Sequence, residues 1–296
     1  MKIKKAVITA AGYGTRFFPL TKTIQKEMVP ILNRPLIDYV VEDLLKAGIE
    51  EIIFVVKDTD TQIQHFYTEA NEVKAYLARM GKMDKYPDLA RLHEKAKFTF
   101  VTQKPTDPYG TATPLRLVRE NVENEEAFFM FMGDDFIYNP DGSSEASKML
   151  DLFTKSNARS LATFIRRPKE LLYKYGVART RKTGDFEFLI DIYEKPEPGK
   201  EPSNLVNISK YIFTPDVYAA LDQQEINPIH DEWLITDTIS ILARQADVVV
   251  YPTSGEYLDG GYVEGWLKAN LLVASQDKDL AESLYDYYSQ TILKKD

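Results

Sequence analysis

The apolar residues of this chain fall in short runs that alternate with stretches of helical spacing. Lys5–Ala10 is a short apolar run that ends in a glycine turn, the pattern of a buried strand. Leu36, Val40, Val41, Leu44 and Leu45 then recur at helical spacing. Pro35 stands ahead of them and Gly48 just past the end, which predicts a helix with proline at its start and glycine beyond its close. Residues 52–56, 98–102 and Phe128–Met132 form the next strand-like runs, the last two separated by a helix predicted around residues 113–121. Strands alternating with helices predict an α/β fold with a doubly wound, mostly parallel, Rossmann-like sheet. Phe128–Met132 is apolar at every position, as a strand covered on both faces should be.

The second half carries strand-like pieces at residues 160–165, 176–181, 186–193 and 207–213, with helical patterns at 215–221 and 236–243. Residues 197–202 read as a proline-rich, charged loop. Residues 71–96 are charged, tyrosine-bearing and helix-prone, and predict a helical insertion over one edge of the site. Residues 263–293 predict a helical C-terminal segment with a polar break near 275–278. No repeat and no convincing linker interrupts the chain, so a single domain over residues 1–296 is expected.

Composition narrows the chemistry. With 44% hydrophobic and 28% charged residues the chain has an ordinary globular balance, and with no cysteine it has no disulfide, thiolate metal site or cysteine nucleophile. A formal net charge of −8 disfavours nucleic-acid binding. No apolar run approaches the ~18 residues of a membrane span, and the start is too short in apolar residues for a secretory signal, so a soluble cytoplasmic protein is expected. Charge is unevenly spread: six basic residues and no acid precede Glu27. Lys2, Lys4 and Lys5 read as a basic tip, whereas Arg16, Lys22 and Lys26 follow a glycine turn at a strand's end.

That turn reads Ala10-Ala11-Gly12-Tyr13-Gly14-Thr15-Arg16. Glycines there let the backbone approach a phosphate with exposed N–H groups. It is not a dinucleotide fingerprint, which needs a third glycine where Phe17 stands, and it lacks the Gly-Lys-Ser/Thr of a P-loop. Three cations converging near such a turn can neutralise a triphosphate. A second signal is the buried strand Phe128–Met132 running into Gly133-Asp134-Asp135. Ligands in open α/β sheets lie off the carboxyl ends of strands, and Mg²⁺ takes one or two carboxylates plus phosphate oxygens. Asp134 is the candidate for the metal and Asp135 for a cap of the following turn.

These stretches resemble the bacterial UTP–glucose-1-phosphate uridylyltransferases (UDP-glucose pyrophosphorylases) of the sugar nucleotidyltransferase superfamily. The resemblance is carried by Gly12 through Lys22, Lys26 through Ile31 and Arg34 through Glu42. It continues in Gln103, Gly110-Thr111-Ala112, Gly133-Asp134-Asp135, Tyr175-Gly176-Val177-Ala178, Glu194-Lys195-Pro196, Leu234 with Thr236-Asp237, and Asp259 ahead of Gly261. It implies transfer of a uridylyl group from UTP to glucose 1-phosphate with release of pyrophosphate. Arg16 and Lys26 would hold the triphosphate, with backbone contacts from Gly12 and Gly14 in the loop that continues through Thr15. Ala10, Ala11, Glu27, Gln103 and Gly110 would surround base and ribose. Gly176, Glu194 and Lys195 would hold the sugar phosphate, and Asp134 and Asp259 would bind Mg²⁺. A homo-oligomer, dimer or tetramer, is the implied assembly.

Four departures stand out, one being that Asp259-Gly260-Gly261 keeps the acid but not its usual neighbour. Gln25 replaces the usual proline, which is expected to soften the loop carrying Lys26. Gly110-Thr111 replaces glycine–histidine. Ser209-Lys210-Tyr211 replaces glycine–arginine before the aromatic, on what reads as the sugar side. A sugar-1-phosphate nucleotidyltransferase using dTTP or another triphosphate, and a non-catalytic sugar-nucleotide-binding protein, are the alternatives. A nicotinamide dehydrogenase is disfavoured by Phe17 and the basic run. His65, His93 and His230 lie outside every motif, which argues against a covalent histidine route.

Overall fold

A computed structural model of the chain describes residues 2–69, 71–85, 92–228, 231–245, 247–291 and 293. Its strands are β1 (Lys5–Ala10), β2 (Pro30–Ile31), β3 (Arg34–Pro35), β4 (Glu51–Lys57), β5 (Lys97–Gln103), β6 (Phe128–Met132), β7 (Asp135–Tyr138), β8 (Ser160–Arg166), β9 (Gly176–Thr183), β10 (Phe186–Glu194), β11 (Leu205–Phe213), β12 (Val248–Pro252) and β13 (Glu256–Asp259). Among the described residues, nine strands make one sheet in the order β5-β4-β1-β6-β11-β8-β12-β10-β9.

The first four strands of that order are parallel, as the alternation of strand and helix predicts. Beyond β6 the sheet is mixed. β11 runs antiparallel to both β6 and β8, β12 is parallel to β8, and β10 is antiparallel to β12 and β9. "Mostly parallel" therefore describes only the N-terminal half. The reason is local: β9 and β10 are joined by the two residues Gly184 and Asp185, a connection that permits only antiparallel pairing.

Period-two alternation splits each central strand between two cores. Ala6, Ile8 and Ala10 of β1 face one cluster and Val7 the other; Phe129 and Phe131 of β6 face the first, Phe128 and Met130 the second. Helices Leu36–Lys46 and Glu145–Ser156 cover the first face, and Thr113–Leu117, Val217–Gln223 and Ile235–Gln245 the second. The helix predicted over 113–121 is interrupted at Val118 and continues as Arg119–Val122.

Helix Asn71–Arg79 has no buried residue, Leu92 is buried, and residues 86–91 of the insertion lie outside the described residues. The C-terminal segment is two helices, Val263–Ala274 and Lys278–Thr291, parted at the polar break. Among the described residues, no helix is long and apolar enough to cross a membrane.

Candidate active site

The carboxyl ends of β1, β4, β5 and β6 open on one side of the sheet, because these strands are parallel. β1 delivers the glycine loop there. Gly14 takes a left-handed φ of 64°, which glycine tolerates at no steric cost, and its carbonyl accepts the Thr21 hydroxyl at 2.7 Å. Thr15–Phe17 closes a short 3-10 turn and brings Arg16 back over the strand ends.

β6 delivers Asp134. Lys26 Nζ donates to Asp134 Oδ2 at 2.5 Å and lies 3.7 Å from Glu27. Burial works against charge on Asp134, but Lys26 and then Arg16 outweigh it and hold the carboxyl below its ordinary range. Burial likewise opposes charge on Lys26, yet Asp134 and Glu27 push its pKa well above the usual lysine value. Glu27 is 1% exposed, and burial raises its carboxyl to about 7 against the pull of Lys26. One of its oxygens is buried without a partner.

Asp259 arrives from the far end of the chain. β13 pairs antiparallel with β7, in a register that sets Asp259 opposite Asp135. The Gly261 N–H donates to Asp259 Oδ1 at 2.9 Å. A Cβ on Gly261 would stand 2.7 Å from Asp134 Oδ2, 2.9 Å from Arg16 and 3.0 Å from Asp259 Oδ1. Only glycine lets the two carboxylates face each other so closely. Arg16, 57% exposed, spans them at 3.9 and 3.7 Å. Burial and the charge of Asp134 raise the Asp259 carboxyl. Among the described residues no three metal-ligating side chains cluster, so this site offers two carboxylates. That donor set suits Mg²⁺, which fills its remaining positions with phosphate oxygens and water.

A pocket beside this pair is lined by Thr9, Ala11, Gly12, Lys26, Glu27, Gln103, Tyr109, Gly110, Thr111, Pro114, Met132, Asp134 and Glu232. Gln103 Oε1 is buried there without a hydrogen-bond partner. Gly110, at φ 136°, presses against the Trp233 backbone; a Cβ would lie 2.2 Å from its carbonyl oxygen. Ala112 N–H donates to Trp233 O at 2.8 Å, Trp233 N–H to Tyr109 O at 2.9 Å, and Ile235 N–H to the Thr111 hydroxyl at 2.9 Å. Arg116 stacks on the Trp233 ring at 3.9 Å. Threonine at 111 thus holds the wall of the pocket.

Ala11, Gly12, Lys26, Glu27, Gln103, Gly110 and Asp134 meet at the pocket. Ala10 is buried inside β1, and Gly14 and Thr15 build the turn. Lys22 is exposed and does not line the pocket. Gly176 and Glu194 are cross-strand partners in β9 and β10. A residue ahead of proline favours extended backbone, but Lys195, ahead of Pro196, has a φ of 46°, held by its N–H donating to Tyr175 O at 3.0 Å.

Asp135 is no turn cap. It starts β7 and pairs with buried Lys210 at 2.5 Å, while Tyr257 donates to its other oxygen at 3.0 Å. Lys210, 2% exposed, is therefore spent on Asp135, next to the candidate metal carboxylate Asp134. Ser209 beside it has a φ of 54°, within a register shift between Asn207 and Tyr211, the conformation that the usual glycine takes freely.

The insertion contributes no described residue to the pocket, whose wall is Tyr109, Thr111 and Glu232 instead. Sequence reasoning missed Tyr109, Pro114 and Glu232; the signals near them were the Gly110-Thr111-Ala112 match and, for Glu232, the match at Leu234. His65 is exposed, His93 is partly buried, and His230 lies outside the described residues.

The nucleotidyl transferase family model matches residues 5–276. A UTP–glucose-1-phosphate uridylyltransferase of Pseudomonas aeruginosa is 32% identical over 268 residues, 90% of this chain and 94% of that protein. A UTP-bound UDP-glucose pyrophosphorylase from Acinetobacter baumannii superposes with a TM-score of 0.85 at 28% identity, covering 99% of this chain and 100% of its own. A UDP-glucose pyrophosphorylase complexed with UDP-glucose gives a TM-score of 0.78 at 31% identity, over 93% of this chain and 99% of its own.

Proposed function

The chain belongs to the nucleotidyl transferase family, and from that membership we propose that it transfers a uridylyl group from UTP to glucose 1-phosphate, giving UDP-glucose and pyrophosphate. The observation that carries the reading is the meeting of Asp134, Asp259, Arg16 and Lys26 at the rim of a pocket that holds an unpartnered Gln103 amide oxygen. Full-length similarity to proteins named for this reaction supports it.

In this reading a phosphate oxygen of the sugar 1-phosphate attacks the α-phosphorus of UTP in line. The new P–O bond forms as the bond to pyrophosphate breaks. The nucleophile needs no general base, because the second pKa of a phosphate monoester is about 6. What remains is positioning and charge cancellation. Arg16 and Lys26 hold the triphosphate, with backbone contacts from Gly12 and the Gly14 turn. Asp134 and Asp259 would hold Mg²⁺, which neutralises charge on the phosphates. Gly176, Glu194 and Lys195 hold the sugar phosphate.

Uracil offers an N3–H donor and an O4 acceptor, and the Gln103 amide matches both. The amide can flip, so discrimination against cytosine falls to fixed backbone groups near Gly110. The Gly110–Trp233 contact makes that backbone rigid. Thymine adds one methyl group, worth about 1–3 kcal/mol of discrimination. The reaction belongs in the cytoplasm, where nucleoside triphosphates are made. The exposed Leu280, Leu284, Tyr287 and Tyr288 of the last helix support a homo-oligomer.

The test is kcat/KM for UTP, dTTP, ATP, GTP and CTP, each with several sugar 1-phosphates, read by pyrophosphate release. UTP with glucose 1-phosphate should lead, with dTTP weaker. A best rate with dTTP or ATP overturns the uridylyl reading and leaves nucleotidyl transfer standing. No pyrophosphate with any pair favours a binding protein.

A further inference from the structure

We propose that Gln62 is the positioning residue for Lys26, taking over the task of the proline that Gln25 replaces; this rests on the nucleotidyl-transfer reading of the site. Gln62 opens the short helix Gln62–Tyr67. Its side-chain amide spans the loop ahead of Lys26: Nε2 donates to Thr23 O at 2.7 Å, and Oε1 accepts from the Gln25 N–H at 3.0 Å. The next residue is Lys26, whose ammonium lies 2.5 Å from Asp134.

The clamp has a fixed base. Asp60 Oδ1 accepts from the N–H groups of Gln62 at 2.8 Å and Ile63 at 3.4 Å, which secures the helix start. Ile63 and Tyr67 are buried, and Tyr67 stacks on Phe54 of β4 and donates to Asp38 at 3.1 Å. Gln62 therefore ties the Lys26 turn to the sheet through a helix that is itself packed into the core.

The Gln25 backbone shows what the clamp replaces. Its φ of −64° is the value a proline ring imposes. A proline would supply that angle covalently, but it would have no N–H for Gln62 to receive. This chain has the same backbone with a donor in place of the ring, and the Gln62 amide satisfies the donor. The softening expected from losing proline is met by two hydrogen bonds. The role is positional, since Gln62 does not line the pocket.

The experiment uses full-length Gln62→Met, Gln25→Pro and the double variant, with Gln62→Ala as a second truncation in case the methionine perturbs folding. Gln62→Met should lower kcat about tenfold with less change in the KM for UTP, because misplaced charge-stabilising groups chiefly affect the reacting state. Gln25→Pro should stay within about threefold of the parent, and Gln25→Pro/Gln62→Met should recover most of the lost kcat. A merely structural glutamine would lower the melting temperature and give no such rescue. Amide exchange over residues 23–29 is the readout that does not need activity. It should quicken in Gln62→Met and slow again in the double variant. Unchanged exchange, or a Gln62→Met kcat within twofold of the parent, overturns the proposal. A parent enzyme that releases no pyrophosphate overturns the reaction, and the exchange result then decides the clamp alone.

Discussion

Replacing Lys210 with methionine isolates the buried ion pair beneath the two candidate metal carboxylates. Methionine keeps most of the stem's length and removes the ammonium. Lys210 is 2% exposed and Asp135 8%, and their closest approach is 2.5 Å. At that distance and an effective dielectric of about 20, the gross attraction is roughly 7 kcal/mol, most of which offsets the cost of taking both ions from water. The loss on truncation is set by what remains. Asp135 would keep the Tyr257 hydroxyl as a donor and lose Lys210, which also donates to the Asp135 carbonyl at 3.1 Å. Stranding one member of a buried pair costs about 3–5 kcal/mol, a fall in Tm on the order of 10 °C for a chain of this size. Removing both charges, in Asp135→Asn/Lys210→Met, should cost clearly less than the sum of the single changes, with a coupling of about 2 kcal/mol or more. Urea unfolding at neutral pH, followed by tryptophan fluorescence and by circular dichroism, measures all four corners of the cycle. A Lys210→Met loss below about 1 kcal/mol, or strict additivity, would refute a buried and mutually dependent pair.

The remaining predictions concern the reaction and the acid limit of stability. Asp259→Asn should lower kcat by about 100-fold or more in a folded protein, the scale of losing one preorganised electrostatic partner, and near-normal turnover would remove Asp259 from the metal. Lys195→Ala should raise the KM for glucose 1-phosphate and lower kcat with a smaller effect on the KM for UTP; the reverse pattern would move Lys195 to the triphosphate. Glu145 is fully buried, and burial opposes its charge, but the Thr253 and Tyr251 hydroxyls, the Ser254 N–H and Asn139 bring its carboxyl down to about 2. A depressed folded-state pKa gives stability that is complete above the unfolded value near 4.5 and fades as pH falls toward about 2. The stability gap between the parent and Glu145→Gln should therefore shrink by about 2 kcal/mol between about pH 6 and pH 3, and a gap independent of pH would refute the assignment.

The parts of the fold legible in the sequence are those whose signal is local. β1 and β6 were read at their observed ends because a strand buried on both faces is an unbroken apolar run. Helix Leu36–Lys46 was legible through its apolar stripe and its proline and glycine boundaries. The mixed half of the sheet was not, since strand direction depends on which strands meet. Helix Glu145–Ser156 escaped notice although its Ser144 cap on the Ser147 N–H is local; its Glu145 is bonded to residues more than 100 positions away, which no local pattern marks. At the site, glycines and charged residues in long motifs were legible, while the Lys210–Asp135 pair and the Gln62 bridge were not. Both act through long-range contacts that no periodicity marks.

The candidate metal pair shows why such contacts matter more than their number suggests. Asp134 and Asp259 meet only because β13 pairs with β7, a ribbon of four residues on each side. A two-stranded ribbon of that length has little stability alone. Here Leu258 and Phe136 are register partners, and both are buried in the same core cluster. Their burial specifies the register, because side chains alternate between faces. A slip of one residue would turn Asp259 toward the core and Leu258 out of it. Tyr257 adds a second lock by donating to Asp135, the residue paired with Lys210. Gly265 adds a third, since a Cβ there would lie 1.9 Å from the Asp259 carbonyl oxygen and lift the strand end away. The position of the second carboxylate is thus a property of apolar burial, one tyrosine hydroxyl and a close glycine contact. It follows that substitutions at Leu258, Tyr257 or Gly265, none of them charged, should impair the candidate metal pair as directly as changes to the carboxylates themselves.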